Sequence, residues 1–347
     1  MKIAILSAYS GVVQRGVEGW TYELASRLGK KHQVRVYRGD EKFKIQSSKF
    51  KVDEWNFKRR LFLDRGSWGV GRFTLRGWGD LWNFRPDVVI PTNGGWQSLI
   101  CRVFTFLRGG KLVIVGHAGP GWDDRWNLWL RPDVWVGLTR HQSKWANRAV
   151  RGVRIETIAD GVDMEKFKPG GKRLKWGLER PIFLAVGALT ATKKLDLTIR
   201  AVASLKKGSL VIVGDGDLRG RIEKQGRKKL GKRFKLMEVD YSQMPQVYRS
   251  ADVFTLVPWE REAFGMVYIE AMACGLSVVA RDDAVRREIV GEVGILVKHP
   301  EGVGEYARAL DAVAGKKWGS LPRKQAEKFS WDKVAAKYER LFLSLVK

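Results

Sequence analysis

Residues 257–280 read VPWEREAFGMVYIEAMACGLSVVA, and their pattern is the strongest indication of the fold class. Its apolar start is typical of a strand end, a polar turn follows, and Gly275 ends a short helical stretch before a second strand, Ser277–Ala280. Strands that alternate with helices are typical of parallel sheets with crossover connections. A helix that starts near Gly265 would present free backbone N–H groups and the positive end of its dipole. The segment therefore predicts an α/β fold with a site for a pyrophosphate.

The same alternation runs through the whole chain and predicts two domains. A chain of 347 residues is too long for one ordinary core, because single cores stop growing at about 250–300 residues. Lys168–Arg173 reads KPGGKR, which is typical of a linker. We therefore predict two Rossmann-like, doubly wound α/β domains, 1–168 and 174–329, and a helix over 330–347. The predicted strands are Lys2–Ala8, Val34–Tyr37, Asp87–Ile90, Lys111–Val115, Val134–Leu138, Ile182–Val186, Leu210–Val213, Val253–Val257 and Ser277–Ala280.

The central segment resembles a known enzyme family. Glu262 and Glu270 stand in the pattern E-x-F-G-x-x-x-x-E, which runs on into E-A-M-A-C-G. On these motifs the chain is identified as a member of the family 4, or group 1, retaining glycosyltransferases. Further similar segments are Y-x-x-A-D-V at Tyr248–Val253, G-V-D-x-x-x-F at Gly161–Phe167 and F-S-W-D at Phe329–Asp332.

This resemblance implies both a fold and a reaction. The fold is GT-B, in which two Rossmann-like domains face each other across a cleft and the C-terminal helix crosses back to the first domain. The reaction is transfer of a sugar, by a hexosyltransferase-like enzyme, from a nucleoside diphosphate sugar such as a UDP- or GDP-sugar. The anomeric configuration is retained, and the resemblance implies neither a cofactor nor an essential metal.

The resemblance also implies roles for the residues of the central motif. Glu262 contacts hydroxyls of the transferred sugar, and Glu270 bonds the ribose. A carboxylate suits both roles because it accepts two hydroxyls at once. Phe264, Gly265 and Met266 line the donor site.

A second motif, Leu184–Asp196, resembles the family's V-G-R-L-x-x-x-K-G-x-D loop. The resemblance implies that Lys193 binds the diphosphate and neutralises the departing nucleotide, with Gly187 and Lys194 beside it in the donor site. The sequence departs from the family at two positions. Ala188 stands where an arginine is usual, and Lys194 replaces a glycine.

The N-terminal half offers fewer candidates. Gly16 follows the first strand at the place of the family's glycine pair, where it would touch the donor, and Arg15 beside it either meets an anionic acceptor or is merely solvated. His117 follows a predicted strand at the position of the family's active-site histidine, which implies contact with the donor sugar; the alternative is a structural histidine.

No metal site is predicted. Asp215 and Asp217 form an Asp-x-Asp pair, but they lie in a strand-to-helix turn that corresponds to a packing turn in the family. Cys101 and Cys274 lie far apart in apolar stretches, which is typical of buried thiols.

The net charge of +27 and the segment Lys42–Arg85, where basic residues alternate with large aromatics, suggest a surface for an anionic membrane and a lipid-linked acceptor. The alternative is that Trp55, Trp68, Trp78 and Trp82 are core residues. Because no signal peptide or long apolar run is evident, we expect a cytoplasmic protein that docks on the inner membrane face.

Two other functions fit parts of the sequence. A basic nucleic-acid-binding protein would share the charge and the aromatic residues, but no nucleic-acid motif is present and we expect no specific nucleic acid as partner. An epimerase or phosphorylase with the GT-B fold would share the donor motif.

Overall fold

The computed structural model describes residues 1–10, 16–39 and 65–346. Contacts divide the chain into two compact units. The first unit contains Met1–Asp160 and Trp331–Lys347, and the second contains Gly161–Ser330. The division at Asp160 precedes the linker that the sequence places at Lys168–Arg173.

The first unit is built on a parallel sheet of six strands in the order β2-β1-β3-β4-β5-β6. The strands are β1 (Lys2–Ser7), β2 (Gln33–Arg38), β3 (Val88–Pro91), β4 (Lys111–Val115), β5 (Val134–Gly137) and β6 (Arg154–Thr157). The helices are α1 (Gly16–Leu28), α2 (Arg65–Arg76), α3 (Trp78–Phe84), α4 (Trp96–Arg108), α5 (Trp122–Trp129) and α6 (Arg140–Ala149). The central strands β1, β3, β4 and β5 are apolar and buried, as expected where helices cover both faces of a sheet.

The second unit repeats this architecture with the order β12-β11-β10-β7-β8-β9. Its strands are β7 (Ile182–Val186), β8 (Ser209–Val213), β9 (Phe234–Met237), β10 (Val253–Leu256), β11 (Ser277–Arg281) and β12 (Gly294–Val297). Its helices are α7 (Leu195–Ala203), α8 (Arg219–Leu230), α9 (Met244–Arg249), α10 (Met266–Ala273), α11 (Ala284–Val290), α12 (Val303–Gly315) and α13 (Leu321–Ala326). The strand order reverses between β7 and β10, so the loops that follow these two strands flank the switch point where doubly wound sheets bind ligands.

The C-terminal helix α14 (Trp331–Val346) belongs to the first unit. It packs along α1, where Tyr338 meets Trp20 edge to face with ring centroids 5.7 Å apart. Glu339 forms an ion pair with Lys31 and a hydrogen bond with the His32 ring, both at 3.1 Å. An apolar stripe on the helix, reinforced by charge pairs at its rim, thus holds this end of the chain to the first unit.

The structure describes only part of the aromatic segment Lys42–Arg85. Residues 42–64 lie outside the described residues. In the remainder, Phe73 and Phe84 are buried in the core, whereas Trp68 and Trp82 are exposed. Among the described residues no helix combines the length and apolar character that a membrane span requires.

Candidate active site

Two loops of the second unit meet at the switch point of its sheet. The lysine loop, Gly187–Lys194, follows β7, and the donor turn, Pro258–Glu262, follows β10. The Trp259 N–H donates to the Thr192 carbonyl oxygen across 2.9 Å, which ties the two loops together. The Glu262 N–H donates to the Trp259 oxygen at 3.4 Å and closes the donor turn. Side chains from these loops are thereby brought to one edge of the sheet.

Lys193 and Glu262, the two residues predicted to do the chemistry in this unit, form an ion pair. The Lys193 Nζ donates to the Glu262 Oε1 at 2.6 Å, and the two side chains are 18% and 19% exposed. A charge-assisted bond of this length in a partly desolvated place fixes both groups strongly. Because each side chain still reaches solvent, the pair can open to a ligand that offers an anion to the lysine and hydroxyls to the carboxylate.

Gly265 lies between this pair and the start of α10. Its φ of 96° and ψ of 72° are left-handed, and a Cβ on it would lie 2.7 Å from the Tyr268 ring. Only glycine fits both conditions. Helix α10 begins at Met266, as the sequence predicts, so its first N–H groups face this edge. The Phe264 ring is buried against Phe329, with centroids 5.8 Å apart, so its contribution to a donor site would come from its backbone.

Glu270, predicted to bind ribose, is held in α10 by two tyrosines. Its Oε1 accepts from the Tyr241 hydroxyl and its Oε2 from the Tyr248 hydroxyl, both at 2.7 Å. Burial raises the pKa of Glu270, and these hydrogen bonds oppose the shift. Each carboxylate oxygen has a further lone pair, so the tyrosines fix the group without using up its acceptor capacity. Binding of ribose stays a prediction.

The two departures from the family motif occupy different environments. Ala188 is exposed, so the position of the usual arginine lies open to solvent. Lys194 adopts a left-handed conformation with φ of 49°, which explains why glycine is favoured there. Its Nζ donates to Glu301 at 3.2 Å. Burial would raise the pKa of Glu301, but hydrogen bonds from Arg281 and Lys194 lower it to about 2.

Sequence reasoning missed two buried arginines behind the donor turn. Arg281, at the end of β11, donates through Nε to the Pro258 oxygen at 3.0 Å. Arg286, in α11, donates to the oxygens of Trp259 and Glu262, both at 3.3 Å. The available signal was weak: Arg281 ends an apolar strand, and Arg286 lies between the apolar Val285 and the charged pair Arg287 and Glu288.

The Asp215–Asp217 turn packs backbone against backbone. A Cβ on Gly214 would lie 2.0 Å from the Gly187 oxygen, and the Leu189 N–H donates to the Asp215 oxygen at 2.9 Å. The Asp215 carboxylate pairs with Arg219 at 3.2 Å. Within the described part of the chain, no group of three or more His, Cys, Asp or Glu side chains is placed to hold a metal.

The candidates of the first unit lie near the carboxyl edge of its sheet. Arg15 lies outside the described residues, and Gly16 is the first residue of α1. His117 meets Trp20 edge to face at 5.0 Å, and its Nε2 is buried without a hydrogen-bond partner among the described residues. Burial lowers the pKa of His117 to about 4, so the imidazole is neutral at pH 7. Its contact with a sugar stays a prediction.

Residues 180–315 match the family model described as glycosyl transferases group 1. The matched residues lie within the second unit, which is therefore similar to a group 1 glycosyltransferase domain. The match confirms the family recognised from the central motif, and it includes Lys193, Glu262 and Glu270.

Curated relatives of this glycosyltransferase domain align with about half of the chain. D-inositol 3-phosphate glycosyltransferase 2 of Catenulispora acidiphila is 30% identical over 210 residues, which cover 53% of this chain and 49% of that protein. A GDP-mannose-dependent α-(1-6)-phosphatidylinositol dimannoside mannosyltransferase of Mycobacterium tuberculosis is 31% identical over 191 residues, which cover 52% of this chain and 50% of that protein. The chain thus spans about half the length of the curated relatives it matches.

Solved structures resemble the whole chain, beyond the glycosyltransferase domain. Sucrose-phosphate synthase from Thermosynechococcus elongatus superposes with a TM-score of 0.82 at 18% identity, covering 99% of this chain and 98% of that chain. Anabaena HepE in complex with UDP-glucose superposes with a TM-score of 0.76 at 18% identity, covering 99% of this chain and 100% of that chain. These likenesses confirm the predicted GT-B fold.

Proposed function

We propose that this chain transfers a glycosyl unit from a nucleoside diphosphate sugar to an acceptor hydroxyl with retention of configuration. The observation that carries the proposal is the Lys193–Glu262 pair at the switch point of a group 1 glycosyltransferase domain. The names of the similar proteins support a UDP- or GDP-sugar as donor, since one is GDP-mannose-dependent and another was solved with UDP-glucose.

In the proposed reaction the donor opens the ion pair. Its diphosphate takes the Lys193 ammonium, and hydroxyls of its sugar take the Glu262 carboxylate. The bond from the sugar C1 to the diphosphate breaks, a bond from C1 to the acceptor oxygen forms on the same face, and the acceptor proton leaves with the phosphate. Lys193 stabilises the charge that develops on the departing group, so we propose that the reaction needs no metal.

The test is release of nucleoside diphosphate from a panel of UDP-, GDP- and ADP-sugars, with and without EDTA. Glu262→Gln should lower turnover by about 100-fold or more, because it removes a charged partner of the transferred sugar. Glu260→Gln is the matched control, since Glu260 lies in the same turn and is 81% exposed. Equal turnover by the two variants would refute the site, and proton NMR of the product would show whether the anomeric configuration is retained.

We further propose that the acceptor is lipid-linked and that the first unit docks on an anionic bilayer. The basic aromatic surface is the solvent side of α2, α3 and α4. Its exposed apolar residues are Trp68, Leu75, Trp82, Val103, Phe106 and Leu107. Phe106 is 83% exposed, and with Val103 and Leu107 exposed on the same helix it supports the proposal of an interaction surface.

The charge of the basic aromatic surface favours an anionic bilayer over a second copy of the chain. Helices α2 and α4 contain five arginines and no acidic residue, and one of the five, Arg102, is paired with Asp133 at 3.3 Å. The acidic residue of α3, Asp80, is paired with Arg35 at 2.8 Å. Two such surfaces would repel each other, whereas each cation near an anionic membrane adds about 1 kcal/mol of attraction.

Vesicle sedimentation tests the docking. Wild-type protein should sediment with vesicles of phosphatidylcholine and phosphatidylglycerol, release at raised salt, and stay in solution with phosphatidylcholine alone. Leu107→Ser should weaken sedimentation and Phe106→Ser with Leu107→Ser should weaken it further, while Leu321→Ser, at the exposed leucine that begins α13, should not. Sedimentation that is the same with and without anionic lipid would overturn the proposal. A dimer that Phe106→Ser dissociates would also overturn it.

A further inference from the structure

A buried guanidinium bonds two backbone carbonyls of the donor turn. The Arg286 side chain is fully buried, and its two Nη atoms donate to the carbonyl oxygens of Trp259 and Glu262 at 3.3 Å. These oxygens belong to the first and last residues of the turn that the Glu262 N–H closes. The backbone on either side of the Glu262 carboxylate is therefore fixed from behind by one side chain.

The anchor for this guanidinium is built into α11. Asp283 caps the helix by accepting from the N–H groups of Val285 and Arg286 at 3.0 and 2.9 Å. The same carboxylate lies 2.6 Å from the Arg286 Nη2, as an ion pair that is not aligned as a hydrogen bond. A buried cation is tolerated only when it is paired and hydrogen-bonded. The ion pair and the two carbonyls partner both Nη atoms, while the Nε is buried without a hydrogen-bond partner among the described residues.

The geometry requires an arginine. A guanidinium is a rigid fork with five N–H donors, so it can reach two carbonyls and a carboxylate at once. A lysine ammonium at the same position keeps the charge, but it is a point donor and cannot hold both ends of the turn. Arg281 adds a third bond from the same side, to Pro258.

We infer that Arg286 is a positioning residue for transfer. It acts through the donor turn and holds the Glu262 carboxylate where it meets both Lys193 and the hydroxyls of the transferred sugar. The inference rests on the proposed function and adds a residue that the family motif does not include. On this inference, helix α11 helps to fix the donor site before the donor binds, although Lys193 and Glu262 lie in the lysine loop and the donor turn.

The decisive comparison is between neighbouring arginines of α11. Arg286→Lys should lower kcat for donor turnover on the order of 100-fold, the usual cost of misplacing a reacting group by about 1 Å. Binding of the free nucleoside diphosphate, measured by calorimetry, should change less than about threefold, because that ligand has no sugar for Glu262 to hold. Arg287→Lys should leave both values unchanged, since Arg287 is 63% exposed and pairs only with Asp282 among the described side chains.

A double-mutant cycle separates positioning from general damage. If Arg286 acts through Glu262, then Arg286→Lys should cost little more once Glu262→Gln is present. Asp283→Asn is the second route to the same test, because asparagine keeps the helix cap but removes the charge that anchors the guanidinium. It should lower kcat by about tenfold with nucleotide binding retained.

Each outcome has a distinct meaning. Additive losses in the cycle, or a parallel loss of nucleotide binding and thermal stability in Arg286→Lys and Asp283→Asn, would show a merely structural arginine and overturn the inference. Unchanged kcat in both variants would also overturn it. Absence of turnover in the wild type on every donor would instead refute the proposed function, whatever Arg286 does.

Discussion

Gly265→Ala is the sharpest perturbation of the donor site that the structure allows. The added methyl group meets two obstacles at once. The backbone at residue 265 is left-handed, with φ of 96°, and the new Cβ would lie 2.7 and 2.8 Å from Cε2 and Cδ2 of the Tyr268 ring. Either the backbone or the tyrosine has to move.

The magnitude follows from what holds Tyr268. This ring is fully buried, its hydroxyl donates to the Leu256 oxygen at 2.9 Å, and it meets Phe254 edge to face at 5.5 Å. A Cβ in the left-handed region costs about 1–2 kcal/mol. Overpacking against a fixed ring costs about 1–3 kcal/mol. The lower entropy of unfolded alanine returns about 0.4–1 kcal/mol, so we expect a net loss of about 3 kcal/mol.

Urea unfolding with a matched glycine tests this value. Gly220→Ala lies near the start of α8, where a Cβ would meet nothing within 4 Å, so it should stabilise the chain by up to about 1 kcal/mol. Gly265→Ala should also lower donor turnover of the folded protein, since the start of α10 shifts. A loss of stability below about 1 kcal/mol, with turnover intact, would refute the reasoning about this turn.

Three further predictions concern charge and hydrogen bonding. Ala188→Arg should strengthen binding of a nucleoside diphosphate about tenfold in calorimetry, because the exposed position has room for the missing cation; unchanged affinity would place the phosphates elsewhere. Tyr248→Phe should lower the unfolding free energy by about 2 kcal/mol in urea, because Glu270 loses one of its two hydroxyl donors; a neutral result would mean that water replaces the hydroxyl. Burial raises the pKa of Asp160 from 3.8 to about 7, so the folded chain keeps a proton that the unfolded chain loses, and stability falls as the pH rises through that window. Asp160→Asn should therefore raise the unfolding free energy by up to about 4 kcal/mol at pH 8 and by little at pH 4. An equal gain at both pH values would contradict the raised pKa of Asp160.

The sequence predicts the centre of each sheet better than its edges. All the predicted strands occur, and they include every central strand of both sheets. The missed strands β6, β9 and β12 are edge strands of four residues, and most of their residues are only partly buried. A strand that is covered on both faces needs an unbroken apolar run, whereas an edge strand does not, so its sequence carries a weaker signal.

The candidate site likewise has features that the sequence predicts and features that it does not. The spacing of the motifs brings Lys193 and Glu262 together, because both residues follow strands that are neighbours at the switch point. The orientation of Phe264 and the tyrosine partners of Glu270 depend on contacts between segments distant in the chain, which a motif does not encode. Arg286 was missed for the same reason, since the two carbonyls that it bonds lie 24 and 27 residues away in the chain.

The absence of an arginine at position 188 is best understood from how the cations of this edge are paired. Lys193, Lys194, Arg281 and Arg286 each lie against a carboxylate of the same unit. Under the proposed function, a diphosphate that binds any of these four cations would therefore compete with a carboxylate for it. Among these carboxylates, only Glu262, the partner of Lys193, is also predicted to bind the transferred sugar. When the Lys193–Glu262 pair opens, a nucleoside diphosphate sugar can therefore supply a new partner to each residue, a phosphate to Lys193 and hydroxyls to Glu262. A nucleotide without sugar leaves Glu262 unpaired in a partly buried place, which costs free energy. Under the proposed function, the Lys193–Glu262 pairing would thus favour the intact donor over the spent nucleotide without a second phosphate-binding arginine.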